Sequence, residues 1–285
     1  MATLVDVVQA LDELYPPATA ASWDHVGLVT GDLGQTVEHV RFAVDPTLEV
    51  IQQARDDSVD LLVTHHPLLL RGVHSVATTH AKGAALTSLI VADVALYCAH
   101  TTADVARPGV NDAFAAACRL TRLRGLSREG DRELGLVGEL VEAISLREFA
   151  VRLAEALPPT PVGLRVSGPA DAPVRRVAVL GGAGDDRFEQ VRACGADVYV
   201  TADLRHHPAL EARQEARGGT PYLIDAGHFA TEWLWLAPAA HRLAAVLEQR
   251  GITVETSVSA VRTDPWDFLV GQRPEDVGQR PQVKE

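Results

Sequence analysis

An α/β fold of two related lobes is predicted by three features of the 285-residue sequence. Short apolar runs alternate with segments whose apolar residues recur at helical spacing. Several of those runs are continuously apolar, as in strands covered on both faces of a sheet. The histidine pattern of the first half also recurs, loosely, in the second. At roughly 150 residues per domain, the length accommodates about two lobes.

The first helix is expected over 4–15 (LVDVVQALDELY), stopped by Pro16-Pro17. A strand at 38–44, a helix at 47–57 and a buried strand at 59–64 follow. Helix 81–92 leads into strand 94–99, and residues 110–120 (VNDAFAAACRL) again read as helix. The charged, glycine-bearing stretch 121–135 is a connection or hairpin and marks the boundary. Beyond it come the strand VGELVEAI, helix 145–157 ended by Pro158-Pro159, strand 174–180 running into Gly181-Gly182-Ala183-Gly184-Asp185, and helix 186–194. Strand 197–201, helix 208–217, strand 222–225, helix 230–249 and strand 252–257 close the fold. The expected division is therefore a first α/β lobe over 1–125, a second over 126–270 and a flexible tail over 271–285.

Composition excludes several classes. With 47% hydrophobic and 22% charged residues, wholesale disorder is excluded. No apolar run approaches the roughly 18 residues needed to span a bilayer. The N-terminus lacks a basic region followed by an apolar stretch, so no signal peptide and a cytoplasmic location are expected. Cys98, Cys118 and Cys194 form no CxxC pair and read as reduced packing residues. The net charge of −12 disfavours nucleic-acid binding, while a local pocket for one small phosphate is compatible with it.

Chemistry concentrates where strands end. His65-His66-Pro67 directly follows a buried strand, at the edge where α/β proteins build sites. Two adjacent imidazoles do not readily bind one ion alike, but could serve two neighbouring ions; the bland alternative is a capped strand end. His100-Thr101-Thr102-Ala103-Asp104 follows strand 94–99 in the same way. Asp104 could ligate a metal, although an Asp after a strand is more often a cap, and His100 could be a ligand, a donor behind a ligand or a substrate contact. In Asp225-Ala226-Gly227-His228-Phe229-Ala230-Thr231-Glu232, His228 and Glu232 share one helical face if a helix starts there. Gly227 supplies the sharp turn. Together His65, His66, His228, Asp104 and Glu232 make a set suited to divalent Zn, Fe or Mn, and Glu232 or Asp104 could bridge two ions.

Other motifs read more weakly. Arg205, His206 and His207 precede a helix and could meet a phosphate or simply be solvated. The GGAGD turn lacks the Lys-Ser/Thr of a P-loop.

The chain resembles the dinuclear-metal-centre proteins called GTP cyclohydrolase I type 2 homologues, the Nif3-like family. The matching pieces run in family order from Ser22-Trp23-Asp24-His25-Val26-Gly27-Leu28 through LLVTHHPLL, AHTTADVARPGVND, GLVGEL, LGGAGDD, VTADLRHH and DAGHFATE to Thr263-Asp264-Pro265-Trp266. By this resemblance His65, His66, Asp104, His228 and Glu232 fall on the five metal-ligand positions. The resemblance further implies two related lobes with a dinuclear site in the cleft between them, and assembly as a hexameric toroid. Some members carry an extra domain of roughly a hundred residues between the lobes, for which this chain is too short. His25 stands where the family motif has Asn, and Leu136 where it has Arg.

The expected function is a metal-dependent hydrolase in which two divalent ions activate water against a nucleotide-like or phosphorylated small molecule, with His100 or His206 moving protons or gripping substrate. The alternative is a non-catalytic, metal-binding oligomeric scaffold or regulator.

Overall fold

The computed structural model describes residues 1–130 and 132–270; the tail expected over 271–285 lies outside the described residues. The first half forms β1 (Ala2–Thr3), α1 (Leu4–Leu14), β2 (Gly27–Thr30), β3 (Thr36–Val37), β4 (His39–Ala43), α2 (Leu48–Asp56), β5 (Leu61–Thr64), α3 (Ala81–Val91), β6 (Ala95–Cys98), α4 (His100–Val105) and α5 (Val110–Ala117). The second forms β7 (Thr121–Glu129), β8 (Arg132–Ser145), α6 (Leu146–Ala156), β9 (Arg165–Ser167), β10 (Pro173–Ala183), α7 (Phe188–Ala193), β11 (Val198–Ala202), α8 (His206–Glu215), β12 (Tyr222–Asp225), α9 (His228–Trp233), α10 (Leu236–Gln249) and β13 (Glu255–Val258). Helix starts follow their sequence signals. The Thr47 hydroxyl accepts from the Val50 amide at the start of α2, and Ser145 accepts from Glu148 at the start of α6.

Two sheets result. Their orders are β13-β4-β5-β6-β2 and β7-β8-β10-β11-β12-β9. In each, three parallel strands run in chain order (β4-β5-β6 and β10-β11-β12), and an earlier strand lies antiparallel against the third (β2 and β9). Every residue of β5, β6, β11 and β12 is buried, as their continuous apolar runs require. The connection at 121–135 is a hairpin, β7 and β8 pairing antiparallel.

Two departures bear on how the chain divides into lobes. The helix expected over 230–249 is two helices, α9 and α10. Pro238 has no N–H to donate, and its ring would strike the carbonyl four residues back, so a continuous helix cannot pass it; in the first turn of α10 it costs nothing. The last strand, expected to close the second lobe, instead pairs in parallel with β4 of the first sheet. The chain from Trp235 onward joins the first core: Trp235, Leu236, Ala239, Leu243 and Leu247 pack in one cluster with Leu4, Val7 and Leu11 of α1. The Trp235 indole donates to the Tyr15 hydroxyl at 3.1 Å and meets the Tyr15 and Phe42 rings edge-on. The apolar stripe of α10 matches that of α1, and burying both against each other is worth more than leaving either in water. The expected 126–270 lobe thus gives its C-terminal part to the first.

Candidate metal centre

The cluster is built at strand ends. β5 stops at Thr64, whose hydroxyl donates to the His66 carbonyl, so His65 and His66 sit at the corner. β6 ends one residue before α4, placing His100 in its first turn and Asp104 one turn later. This Asp was expected in a loop; its helical setting puts it on the same face as His100. β12 ends at Asp225, and Gly227 two residues on, with a positive φ of +78°, makes the turn into α9. His228 and Glu232 then lie one turn apart, as expected. The ends of both sheets thereby contribute side chains to one place.

Glu232 is the hub. Its side chain is 4% exposed, with Oε1 2.9 Å from His228 Nε2 and 3.2 Å from His65 Nε2, and Oε2 3.2 Å from His66 Nε2. His66 Nε2 and His228 Nε2 are 3.2 Å apart. Asp104 Oδ1 stands 3.7 Å from His65 Nε2. Three of the imidazoles are oriented from behind by carboxylates: Asp45 at 2.7 Å from His66 Nδ1, Asp203 at 2.7 Å from His228 Nδ1, and Asp24 at 3.0 Å from His100 Nδ1. Asp45 in turn accepts from the Thr263 hydroxyl, and Asp24 from the amide and hydroxyl of Thr101.

The electrostatics of the cluster favour protonated imidazoles around an ionised Glu232. Burial favours neutral rings at His66 and His228, but Glu232 and the Asp partners outweigh it and push them up to about 10 and about 11. Burial, reinforced by the Glu232 charge, raises Asp104 to about 7. At Glu232 burial works the other way, yet the surrounding imidazoles hold its carboxyl well below the usual range.

The donor set fits divalent metal. Both ring nitrogens of His65 and Oε2 of Glu232 are buried without a hydrogen-bond partner, a costly arrangement that a cation would relieve. His65, His66 and His100, and separately His66, His228 and Glu232, each offer ligand atoms within 4.8 Å of one another. Imidazoles and carboxylates in this ratio suit Zn, Fe or Mn. The Gly182 backbone, at φ +69°, lies so close that a Cβ there would stand 2.5 Å from Glu232 Oε1. The glycine-bearing end of β10 thus lines the cluster.

Cavities flank the cluster on two sides. One of about 320 Å³ is lined by His100, Asp104, Glu232, His228, Trp23 and Gly182 among others. A second of about 740 Å³ is lined by His66, His228, Asp45, Asp203, Thr263 and Trp266 among others. Of the residues expected to act in chemistry, His100 lines the smaller cavity. His206 lines neither: it is exposed at the start of α8 with its ring 5.1 Å from that of His207. Sequence reasoning passed over Asp45 and met Asp24, Asp203 and Thr263 only inside segments matching the family, without giving them a role. A lone Asp after a strand carries no distinguishing local pattern; the usable signal was that Asp45 and Asp203 each follow a parallel strand end.

Comparison with known proteins bears on family and fold. The model of the Duf34/NIF3 (NGG1p interacting factor 3) family matches residues 2–265. The chain belongs to the Duf34/NIF3 family. Within it, a Streptomyces coelicolor protein named GTP cyclohydrolase 1 type 2 homolog is 47% identical over 96% of this chain and 97% of its own length. A Mycobacterium tuberculosis protein of the same name is 33% identical, covering 93% of this chain and 97% of the relative. That alignment runs over 374 positions against 285 residues here, so the mycobacterial relative carries segments this NIF3-family chain lacks. A Staphylococcus aureus structure superposes with a TM-score of 0.86 at 27% identity, covering 94% of this chain and 99% of that one. The mixed α/β fold is that of the NIF3 proteins.

Proposed function

We propose that this NIF3-family chain holds two divalent ions in the cleft between its sheets and is a hydrolase of a nucleotide-like or phosphorylated small molecule. The observation that carries the reading is the buried hub of Glu232, ringed by His65, His66 and His228, where both His65 ring nitrogens and Glu232 Oε2 are buried without a hydrogen-bond partner. The name of the Streptomyces coelicolor relative supports the substrate class. His65, His66, Asp104, His228 and Glu232 would hold the ions. Bound there, such ions supply Lewis acidity and water acidic enough to attack near neutral pH.

The chain's own residues do the rest. Asp45 and Asp203 fix the His66 and His228 rings with Nε2 inward, so binding loses little ring freedom. Glu232, placed between three imidazoles, would hold the ions together with His65, His66 and His228. The 320 Å³ cavity gives a small substrate direct access to Asp104 and Glu232 while the apolar core behind His65 excludes bulk water. With only five protein ligands for two ions, room would remain for water or substrate. We extend the proposal to the hexameric toroid implied by resemblance, which light scattering tests.

Mass-spectrometric metal content of untagged, chelator-free protein is the decisive experiment. The expected result is about two ions per chain, fewer in Glu232→Ala, and turnover in a screen of nucleotides and phosphoesters. Metal retained with no turnover would favour the scaffold or regulator, and absence of metal would sink the reading.

A further inference from the structure

We propose that His100 is a metal ligand of this centre and that Asp24 is the carboxylate that aims it. This rests on the dinuclear reading above and adds a residue to it. The internal symmetry of the fold carries the assignment. β6 and β12 are the third parallel strands of their sheets, each backed by an antiparallel edge strand, and each is followed by a short helix. Those helices begin with His100 and His228, and each presents a carboxylate one turn on, Asp104 and Glu232. His100 therefore occupies in the first lobe the place that His228 occupies in the second.

Side-chain geometry repeats the correspondence. His228 Nδ1 is held by Asp203 at 2.7 Å, and His100 Nδ1 by Asp24 at 3.0 Å. An imidazole whose Nδ1–H is spent on a carboxylate presents Nε2 as its free lone pair, the usual arrangement of a ligating histidine. The Asp24 side chain is fully buried, and it also accepts from the Thr101 amide at 3.1 Å, the Thr101 hydroxyl at 2.6 Å and the His25 amide at 2.8 Å. That is more support than Asp203 receives, its side chain being 58% exposed. A carboxylate so anchored fixes the ring behind it. His65, His66 and His100 offer nitrogens within 4.8 Å of one another, and the His100 ring lies 5.4 Å from that of His65 and 5.6 Å from that of His66. His65, lacking any tether of its own, then shares an ion with a rigidly held third imidazole.

The test uses the untagged full-length chain, stripped with chelator and titrated with Co²⁺ by calorimetry and visible absorption. Wild type is expected to bind two ions. His100→Phe, which keeps a ring but no nitrogen, should weaken one of the two by roughly tenfold or more and alter its cobalt absorption band. Asp24→Asn should weaken the same ion to a smaller degree. Should His100→Phe fail to fold, wild-type protein decides: the Co²⁺ form should show four hyperfine-shifted imidazole N–H resonances. Three such resonances, or His100→Phe binding both ions with unchanged affinity and absorption, would overturn the assignment and leave the dinuclear reading standing. A wild type that binds no Co²⁺ would overturn both.

Discussion

His65-His66-Pro67 and His206-His207-Pro208 follow the middle strands of the two sheets, β5 and β11, yet they meet different fates. His65 is fully buried and its pair lies in the cluster, whereas His206 and His207 are exposed on the first turn of α8. The distance from the strand end decides. β5 stops at Thr64, so His65 is the next residue. β11 runs to Ala202, and Asp203 takes the corner before the histidines are reached. The true counterpart of the first HH pair is therefore Asp203, which orients His228. A local motif earns its chemistry from its register against the sheet, and three residues of offset turn ligands into surface.

The sharpest way to break this contrast is to truncate one histidine of each pair. Metal supplied at about a hundredfold over its Kd should stabilise wild type by about 2.7 kcal/mol. His66→Ala should lose most of that increment in thermal melts with and without Zn²⁺, and His207→Ala should keep it. Next in size, Asp45→Asn and Asp203→Asn should each weaken metal binding by about 10–100-fold in chelator competition. The loss should be greater at Asp45, which Thr263 anchors from behind. Gly182→Ala forces a side chain into a positive-φ position beside Glu232, and chemical denaturation should register about 1–3 kcal/mol of destabilisation.

Acidity probes the same cluster more gently. The raised imidazoles of His66 and His228 stabilise the metal-free fold fully below their ordinary 6.5, and that contribution is lost as pH rises through about 10 and about 11. The depressed Glu232 carboxyl contributes above its ordinary 4.5 and is lost on acidification. Melting of metal-free protein should thus fall from pH 7 into the alkaline range. The increment from added metal should grow over that range, because the ion no longer displaces bound protons. Smallest of all, His206→Ala should change unfolding free energy by no more than about 0.5 kcal/mol; a large loss would show that the second pair has a role the geometry does not give it.

Much of the fold was legible because burial writes itself into sequence. LLVT and YLID are continuous apolar runs, and both are central strands. His65, His66, His228 and Glu232 were legible for a related reason: each follows such a run closely enough that the turn out of the sheet aims it. The destination of residues 235–258 was not. Helix and strand could be recognised there, but nothing local says which of two sheets has a free edge or which helix offers a matching stripe. The carboxylates behind the imidazoles were hidden likewise, since Asp45 meets His66 across 21 residues and Asp24 meets His100 across 76. Pro238 is the exception, a legible sign of the break between α9 and α10 that a smooth apolar period obscured.

The pairing of β13 with β4 has a consequence for biosynthesis. His39 and Ser257 touch across 218 residues, so the first lobe is opened by the N-terminus and completed only after the whole second lobe has been made. At about 5–20 residues per second, the growing chain carries an unfinished sheet edge and the bare stripe of α1 for on the order of tens of seconds. A ribosome that stalls before residue 255 releases a product whose second half has all the strands of its own sheet and whose first half cannot close. Such a fragment exposes an unpaired β4 edge of the kind that templates aggregation. The strand made last is thus the one that seals the sheet begun first.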